Sequence, residues 1–261
     1  MDFETFGGFC AGGMRRHPRP VPAKAADRSR AGDVGSQVRL RHCAGERNNP
    51  PLCSRRDWFR VILLHGFPED WYAYHHVMPQ LAKQFTVVAV DLRGIGGSAA
   101  TAGGYDAANM AEDVHQLVEH LHLEHVYVVG HDIGGMVAYA FVRRYPETCR
   151  GVMLLDVPVP GLGPWDAVKA NPIIWHIHFQ QTPDLPEQLI AGREAIYFRH
   201  FLDSDTFSDV DVARYSRAYA APEHLRALLE IYQTLPANEK FNTAQRDQRA
   251  SGASSRRKLA F

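Results

Sequence analysis

The residues with the clearest chemical potential form one stretch, Val126-Tyr127-Val128-Val129-Gly130-His131-Asp132-Ile133-Gly134-Gly135. A β-branched run ends in Gly-x-Asp-x-Gly, and a helical pattern follows at once. This is strand, sharp turn, one presented side chain, then helix. Gly130 and Gly134 flank Asp132 because a strained turn leaves no room for a Cβ on either side, and Gly135 lets the new helix lie close to the sheet. The presented residue is Asp, where the commonest version of the turn carries Ser. A carboxylate needs no base to deprotonate it at neutral pH, and a helix N-terminus is expected to hold it ionised. Attack on a carboxylic ester would give only a reactive anhydride. Attack on a saturated carbon bearing a leaving group gives an ordinary ester that water can later cleave. The chemistry indicated is covalent catalysis at sp³ carbon, on an epoxide or an alkyl halide. For the pentapeptide alone, the competing reading is an Asp that caps a strand–helix turn.

The elements that must position Asp132 are legible around it. Arg60–Leu64 and Phe85–Val90 are apolar runs of buried-strand length, and Gly151–Leu155 is a third. Between them, Trp71–Gln84 reads as a helix with Tyr74, Val77, Met78 and Leu81 on one side. Met110, Val114, Leu117, Val118 and Leu121 fall on one helical face, and Met136–Tyr145 is the helix after the elbow, stopped by Pro146. Val38–Cys43 alternates like an early strand. Strands apolar throughout, alternating with helices, predict a mainly parallel sheet with helices on both faces. After Asp156 the texture changes: Pro158, Pro160, Gly161, Gly163 and Pro164 form a hinge-like break. Trp165–Asn238 then reads as aromatic-rich helices without a buried strand, placed as a lid over the elbow or as a purely structural helical domain. The expected organisation is a disordered extension over 1–35, an α/β core over 36–157, a helical cap over 158–240 and a disordered tail over 241–261.

Composition narrows the function classes. Lys+Arg and Asp+Glu balance at 29 each, so nothing argues for nucleic acid or an anionic surface. No apolar run approaches membrane-spanning length. Cys10, Cys43, Cys53 and Cys149 show neither metal nor CxxC spacing, which fits reduced thiols in a cytoplasmic protein. His115, His120, His122 and His125 invite a metal reading, but His120 and His122 point to different sides of a helix, so a solvated face is preferred. Gly94-Ile95-Gly96-Gly97 lacks P-loop spacing and reads as a turn. No cofactor and no metal are expected.

Taken together, three motifs in order resemble the α/β-hydrolase superfamily, specifically its Asp-nucleophile branch of epoxide hydrolases and haloalkane or haloacetate dehalogenases. They are His65-Gly66-Phe67-Pro68 after one strand, Asp91-Leu92-Arg93-Gly94-Ile95-Gly96-Gly97-Ser98 after the next, and Gly130-His131-Asp132-Ile133-Gly134-Gly135 at the elbow, followed by the helical cap. The resemblance runs from about residue 36 to about 240. It implies Asp132 as nucleophile and the backbone N–H groups of Phe67 and Ile133 as the oxyanion hole for hydrolysis of the alkyl-enzyme ester. It implies cap tyrosines that protonate the opening epoxide. Tyr232 resembles the second of these. Trp175 aligns with the first, and the adjacent His176 is an alternative donor in the substrate pocket. A small apolar epoxide is favoured over an anionic haloacid, because Ile133 and Met136 stand where fluoroacetate-type enzymes carry arginines.

The resemblance also implies a base for ester hydrolysis, in the chain order nucleophile, acid, His. Asp156, 24 residues after Asp132, is the candidate acid, or else a strand-end Asp that merely caps. The last histidine is His224, inside the cap, and only 21 residues follow position 240, whereas two further strand–helix units need about 60. The expectation is a C-terminally truncated chain whose activity is in doubt. A non-catalytic, ligand- or partner-binding remnant is kept as the second class of function.

Overall fold

A computed structural model describes residues 40–43 and 59–250, with side-chain surroundings from 59 to 246. The expected extension over 1–35 and residues 251–261 of the expected tail lie outside the described residues. Among the described residues five strands form one sheet: β1 (Leu40–Cys43), β2 (Phe59–Leu64), β3 (Phe85–Val90), β4 (Val126–His131) and β5 (Cys149–Leu155), in spatial order β1-β3-β2-β4-β5. Only β1 runs antiparallel, with Leu40 opposite Val90; β2, β3, β4 and β5 pair in parallel. The mainly parallel α/β sheet is therefore present, with the elbow strand β4 between β2 and β5.

The apolar runs bury both faces of β2 and β3, but unequally across the sheet. Ile62, Leu64, Val88, Val90, Val126, Val128, Val152 and Leu154 face helices α2 (Ala107–His120) and α3 (Ile133–Arg144) in one large core. On the opposite face, Val61, Leu63, Val87 and Ala89 pack with Met78 and Ala82 around the short helix α1 (Met78–Leu81). That second layer stops short of β5. Met153 and Leu155, apolar and on this face, are 50% and 39% exposed. The full double coverage expected from the strands' composition thus holds for β2 and β3 and fails at β5.

The segment Trp71–Gln84 is not one helix. It splits into a single 3-10 turn, Trp71–Tyr74, and the one-turn α1. Pro79 has no N–H to continue a helical ladder, and the Trp71 N–H is committed to Asp91 Oδ1 at 2.9 Å.

Past β5, helices α4 (Trp165–Ala170), α5 (Trp175–Gln181), α6 (Leu185–Ile190), α7 (Glu194–Arg199), α8 (Asp209–Ala218) and α9 (Pro222–Gln233) form the cap. They share the large core: Phe67 and Ile133 belong to the same apolar cluster as Ile177, Phe198, Tyr219 and Leu228. α10 (Leu235–Ala250) corrects the sequence reading, which placed a disordered tail from 241. Its second half is polar enough to hide any apolar period, yet Glu, Lys, Ala, Gln and Arg are good helix formers. A few polar anchors dock it on the body: Asn242 Nδ2 donates to Pro160 O at 2.9 Å and Arg143 to Gln245 O at 2.6 Å. Trp165 Nε1 donates to Glu239 at 2.8 Å.

The tight crossing at the elbow sets a stability test. A Cβ on Gly134 would lie 2.3 Å from Leu64 O, a backbone atom that cannot swing away, whereas one on Gly103 meets nothing within 4 Å. Gly134→Ala should cost about 3 kcal/mol or more, and Gly103→Ala should stay within about 0.5 kcal/mol of the parent. Urea unfolding midpoints of the two variants measure the difference.

Candidate active site

Asp132 leaves β4 with φ 48° and ψ −122°, a left-handed conformation that a side chain-bearing residue rarely adopts. Strain of this kind costs about 1–3 kcal/mol and persists only when the surroundings over-determine it. They do so here through both backbone groups. Asp132 N donates to Leu155 O at 3.1 Å, while Asp132 O accepts from Gly135 N at 2.7 Å and Met136 N at 3.2 Å. The glycines give the required clearance: a Cβ on Gly130 would lie 2.2 Å from Gly134 O, and one on Gly135 would lie 2.7 Å from Val157 Cγ1. The elbow geometry read from the spacing is therefore present, and it excludes the plain helix cap, since Asp132 makes no side-chain capping bond to α3 in its usual form.

The carboxylate is held from the side of the loop after β2. Phe67 N donates to Asp132 Oδ2 at 3.0 Å, and the Ile133 N–H, at the start of α3, also favours the charged form of the carboxyl. These are the two backbone groups that the sequence assigned. Gly66 lets the loop cross this closely, because a Cβ there would lie 2.9 Å from Asp132 Cβ. The loop turns through a cis Phe67–Pro68 peptide, and Glu69 N donates back to Gly66 O at 3.0 Å.

Burial pushes the Asp132 carboxyl above the ordinary carboxylate range. The Phe67 N–H, the His131 charge and the Ile133 N–H pull it down, and Glu69 adds to the rise. The helix N-terminus alone thus does not set its ionisation, contrary to the expectation from sequence; desolvation is the larger effect. The other motif residues have structural partners: His65 Nε2 accepts from Leu92 N at 3.2 Å, and Asp91 gathers the N–H groups of Trp71 and Gly97 at 2.9 Å each.

The cap supplies the opposite wall. Tyr232, on α9, is buried, and its ring stands edge-on to Phe67 at 5.7 Å. Burial first, then the Asp132 charge, pushes its phenol well above the ordinary range. Its hydroxyl has no hydrogen-bond partner among the described residues, so its proton is free for a ligand. His176, on α5, stacks parallel to Phe67 at 6.3 Å and lies 6.1 Å from Tyr232. Burial and the neighbouring His200 lower its pKa, favouring a neutral imidazole. Trp175, in contrast, is 40% exposed and packs against His200, Tyr197 and Phe201. Of the two adjacent cap candidates, His176 is the one turned to Phe67 and Tyr232.

Asp156 sits at the exposed end of β5 with φ 43°. The histidine it influences electrostatically is His131. No described residue provides a histidine after it in the chain beyond the cap.

Sequence reasoning missed three participants. His131 Nδ1 lies 3.2 Å from Glu69 Oε2, directly beside Asp132. Tyr197, on α7, stands edge-on to Phe67 at 6.2 Å and accepts from Gln180 Nε2 at 2.9 Å. Glu69 was findable from its place directly after Pro68, because a charged residue inside a buried turn needs a partner. Tyr197 belongs to a helix with no motif, and only the fold brings it in.

Comparison with known proteins agrees with this geometry. A family model described as the alpha/beta hydrolase fold matches residues 60–175. The soluble epoxide hydrolase of Corynebacterium sp. (strain C12) is 37% identical over 187 residues, covering 67% of this chain and 65% of that protein. The fluoroacetate dehalogenase of Burkholderia sp. is 31% identical over 176 residues, covering 62% of this chain and 58% of that protein. The crystal structure of Cfl2 from Burkholderia cenocepacia is 33% identical and superposes with a TM-score of 0.68, covering 83% of this chain and 78% of that one. The chain thus spans less than two thirds of the length of these two sequence relatives.

The His131–Glu69 contact makes a pH-dependent contribution to stability. The Glu69 hydrogen bond, offset by desolvation, raises the His131 pKa above 6.5. Protonated His131 therefore stabilises the folded chain. That contribution is full below about pH 6.5, its value when unfolded, and is lost as pH rises through the raised folded value. Glu69→Gln should flatten this loss. Melting temperatures from pH 5.5 to 9 should converge for parent and variant at the alkaline end, and a constant gap across the range would show that the pair is not linked to His131 protonation.

Proposed function

As a member of the α/β-hydrolase superfamily, this chain holds an elbow carboxylate beneath cap hydrogen-bond donors, and we propose that Asp132 opens small apolar epoxides to an alkyl-enzyme ester. The observation that carries the reading is the Asp132 carboxylate itself: one oxygen, Oδ2, is tied to the Phe67 N–H at 3.0 Å, which leaves Oδ1 as the attacking atom. In the reaction Oδ1 forms a bond to an epoxide carbon, the C–O bond to that carbon breaks, and the electron pair passes to the ring oxygen. That oxygen takes the Tyr232 proton, with the His176 N–H as the second donor. The charges favour this sequence. Before attack, the Asp132 charge holds the Tyr232 proton in place. After attack Asp132 is a neutral ester, and that restraint on proton loss is gone.

The tied oxygen is then the ester carbonyl, already facing the Phe67 N–H; that group and the Ile133 N–H would stabilise its oxyanion during hydrolysis. Hydrolysis itself needs a base. Asp156 is kept as the acid that would orient one; among the described residues the last histidine is His224, in the cap. A polypeptide of these residues alone is expected to alkylate Asp132 once and to retain the ester. An anionic haloacid is disfavoured, because the positions after the nucleophile are the buried apolar Ile133 and Met136 rather than cations. Among the described residues no helix is long and apolar enough to cross a membrane.

Incubation of the purified chain with styrene oxide, followed by intact-mass and peptide mass spectrometry, should show one adduct per chain, mapped to Asp132. Asp132→Asn should show none, and Tyr232→Phe should slow adduct formation about 100-fold or more. Reversible epoxide binding with no adduct would support the non-catalytic reading instead. Multiple turnovers of diol would refute the stalled ester.

A further inference from the structure

The loop that carries the Phe67 N–H is held not only by the core but also by the cap. Tyr219, which ends α8, is fully buried, and its hydroxyl donates to Glu69 O at 2.8 Å. One turn earlier on the same helix, Arg214 pairs with Asp70 Oδ2 at 3.2 Å and lies over the Tyr72 ring at 4.0 Å. Glu69 and Asp70 are two and three residues from Phe67 on a turn closed by Glu69 N to Gly66 O. The core side of the same loop is fixed by Trp71 N on Asp91.

We propose that Tyr219 and Arg214 are positioning residues, through which the cap sets the alignment of the Phe67 N–H on the Asp132 carboxylate. The physical argument has three links. A neutral hydroxyl buried against a backbone carbonyl contributes little net energy but is costly to leave unmade, so the contact fixes where the Glu69 carbonyl can lie. The turn between Gly66 and Glu69 is short and closed, so a displaced Glu69 carbonyl displaces the Phe67 N–H with it. The bond from that N–H to a carboxylate is charge-assisted and directional, so a small misalignment weakens it. On the proposed chemistry the same N–H later faces the ester oxyanion. Cap docking and nucleophile alignment are then one event. The inference rests on the proposed function only for what the alignment serves; the alignment itself can be read without substrate.

The Phe67 amide reports directly on its acceptor. Its resonance in the ¹⁵N-Phe-labelled chain follows the protonation of Asp132, whose other titratable neighbours are His131, Glu69 and Tyr232. Loss of the Tyr219 hydroxyl in Tyr219→Phe should weaken the Phe67 bond and move the titration midpoint upward by about 0.5 pH unit or more. Arg214→Gln, a half-buried change that keeps the core intact, should move it the same way by less. Leu225→Val trims a similarly buried cap side chain that can make no hydrogen bond or ion pair to the loop, and it should leave the midpoint in place. If Tyr219→Phe fails to fold, Arg214→Gln decides alone. Destabilised variants with an unmoved Phe67 midpoint would overturn the proposal and leave Tyr219 and Arg214 as packing residues. The styrene oxide adduct is a separate measurement. A chain that never alkylates while its Phe67 midpoint shifts would sink the proposed function and keep this inference, and an alkylating chain with a fixed midpoint would do the reverse.

Discussion

The site depends on a single backbone conformation. Asp132 stays at positive φ because its N–H and carbonyl are both spoken for, by Leu155 on β5 and by the first turn of α3. If that strain relaxed, the carboxylate would swing off the Phe67 N–H, and the aromatic wall of the cap would face a helix start with no carboxylate held toward it. The glycines at 66, 130, 134 and 135 are subordinate to this requirement. Each clears a path where another backbone or side chain passes within van der Waals distance. β5 is therefore as much a part of the elbow as β4, through the Leu155 carbonyl.

Electrostatics then adjusts what sterics has built. A buried carboxylate without partners would be neutral much of the time. Two N–H donors and the His131 charge oppose that tendency, while Glu69, needed to hold His131, works against them. The result is a carboxyl raised from its ordinary range yet specifically solvated on one oxygen. That combination suits a nucleophile, which must be charged but not fully surrounded by water.

Much of this was legible in the sequence, for definite reasons. The elbow was readable because its glycines answer to local geometry. The β-branched strands were readable because burial on two faces leaves an unbroken apolar run. Phe67 and Ile133 followed from the motifs around them. The reading failed where structure depends on distant partners. Trp71–Gln84 carries a helical apolar pattern, but Pro79, which lacks an N–H, breaks it. α10 looked unstructured from 241 because its anchors are single polar contacts to Pro160, Arg143 and Trp165, which leave no periodic trace. The orientation of Trp175 against His176 could not be told from two adjacent letters, since adjacent residues on a helix point about 100° apart.

The pinned oxygen has a stereochemical corollary. With Oδ2 anchored and Tyr232 and His176 held on the cap side, the line from Oδ1 through the reacting carbon to the leaving oxygen has one direction in the frame of the sheet. Under the proposed chemistry, displacement along it inverts the configuration at the attacked carbon. The two mirror-image forms of an unsymmetrical epoxide must then present different carbons, or different substituents, to the aromatic wall. Handedness in the product would thus trace back to which carboxylate oxygen a single amide hydrogen selects.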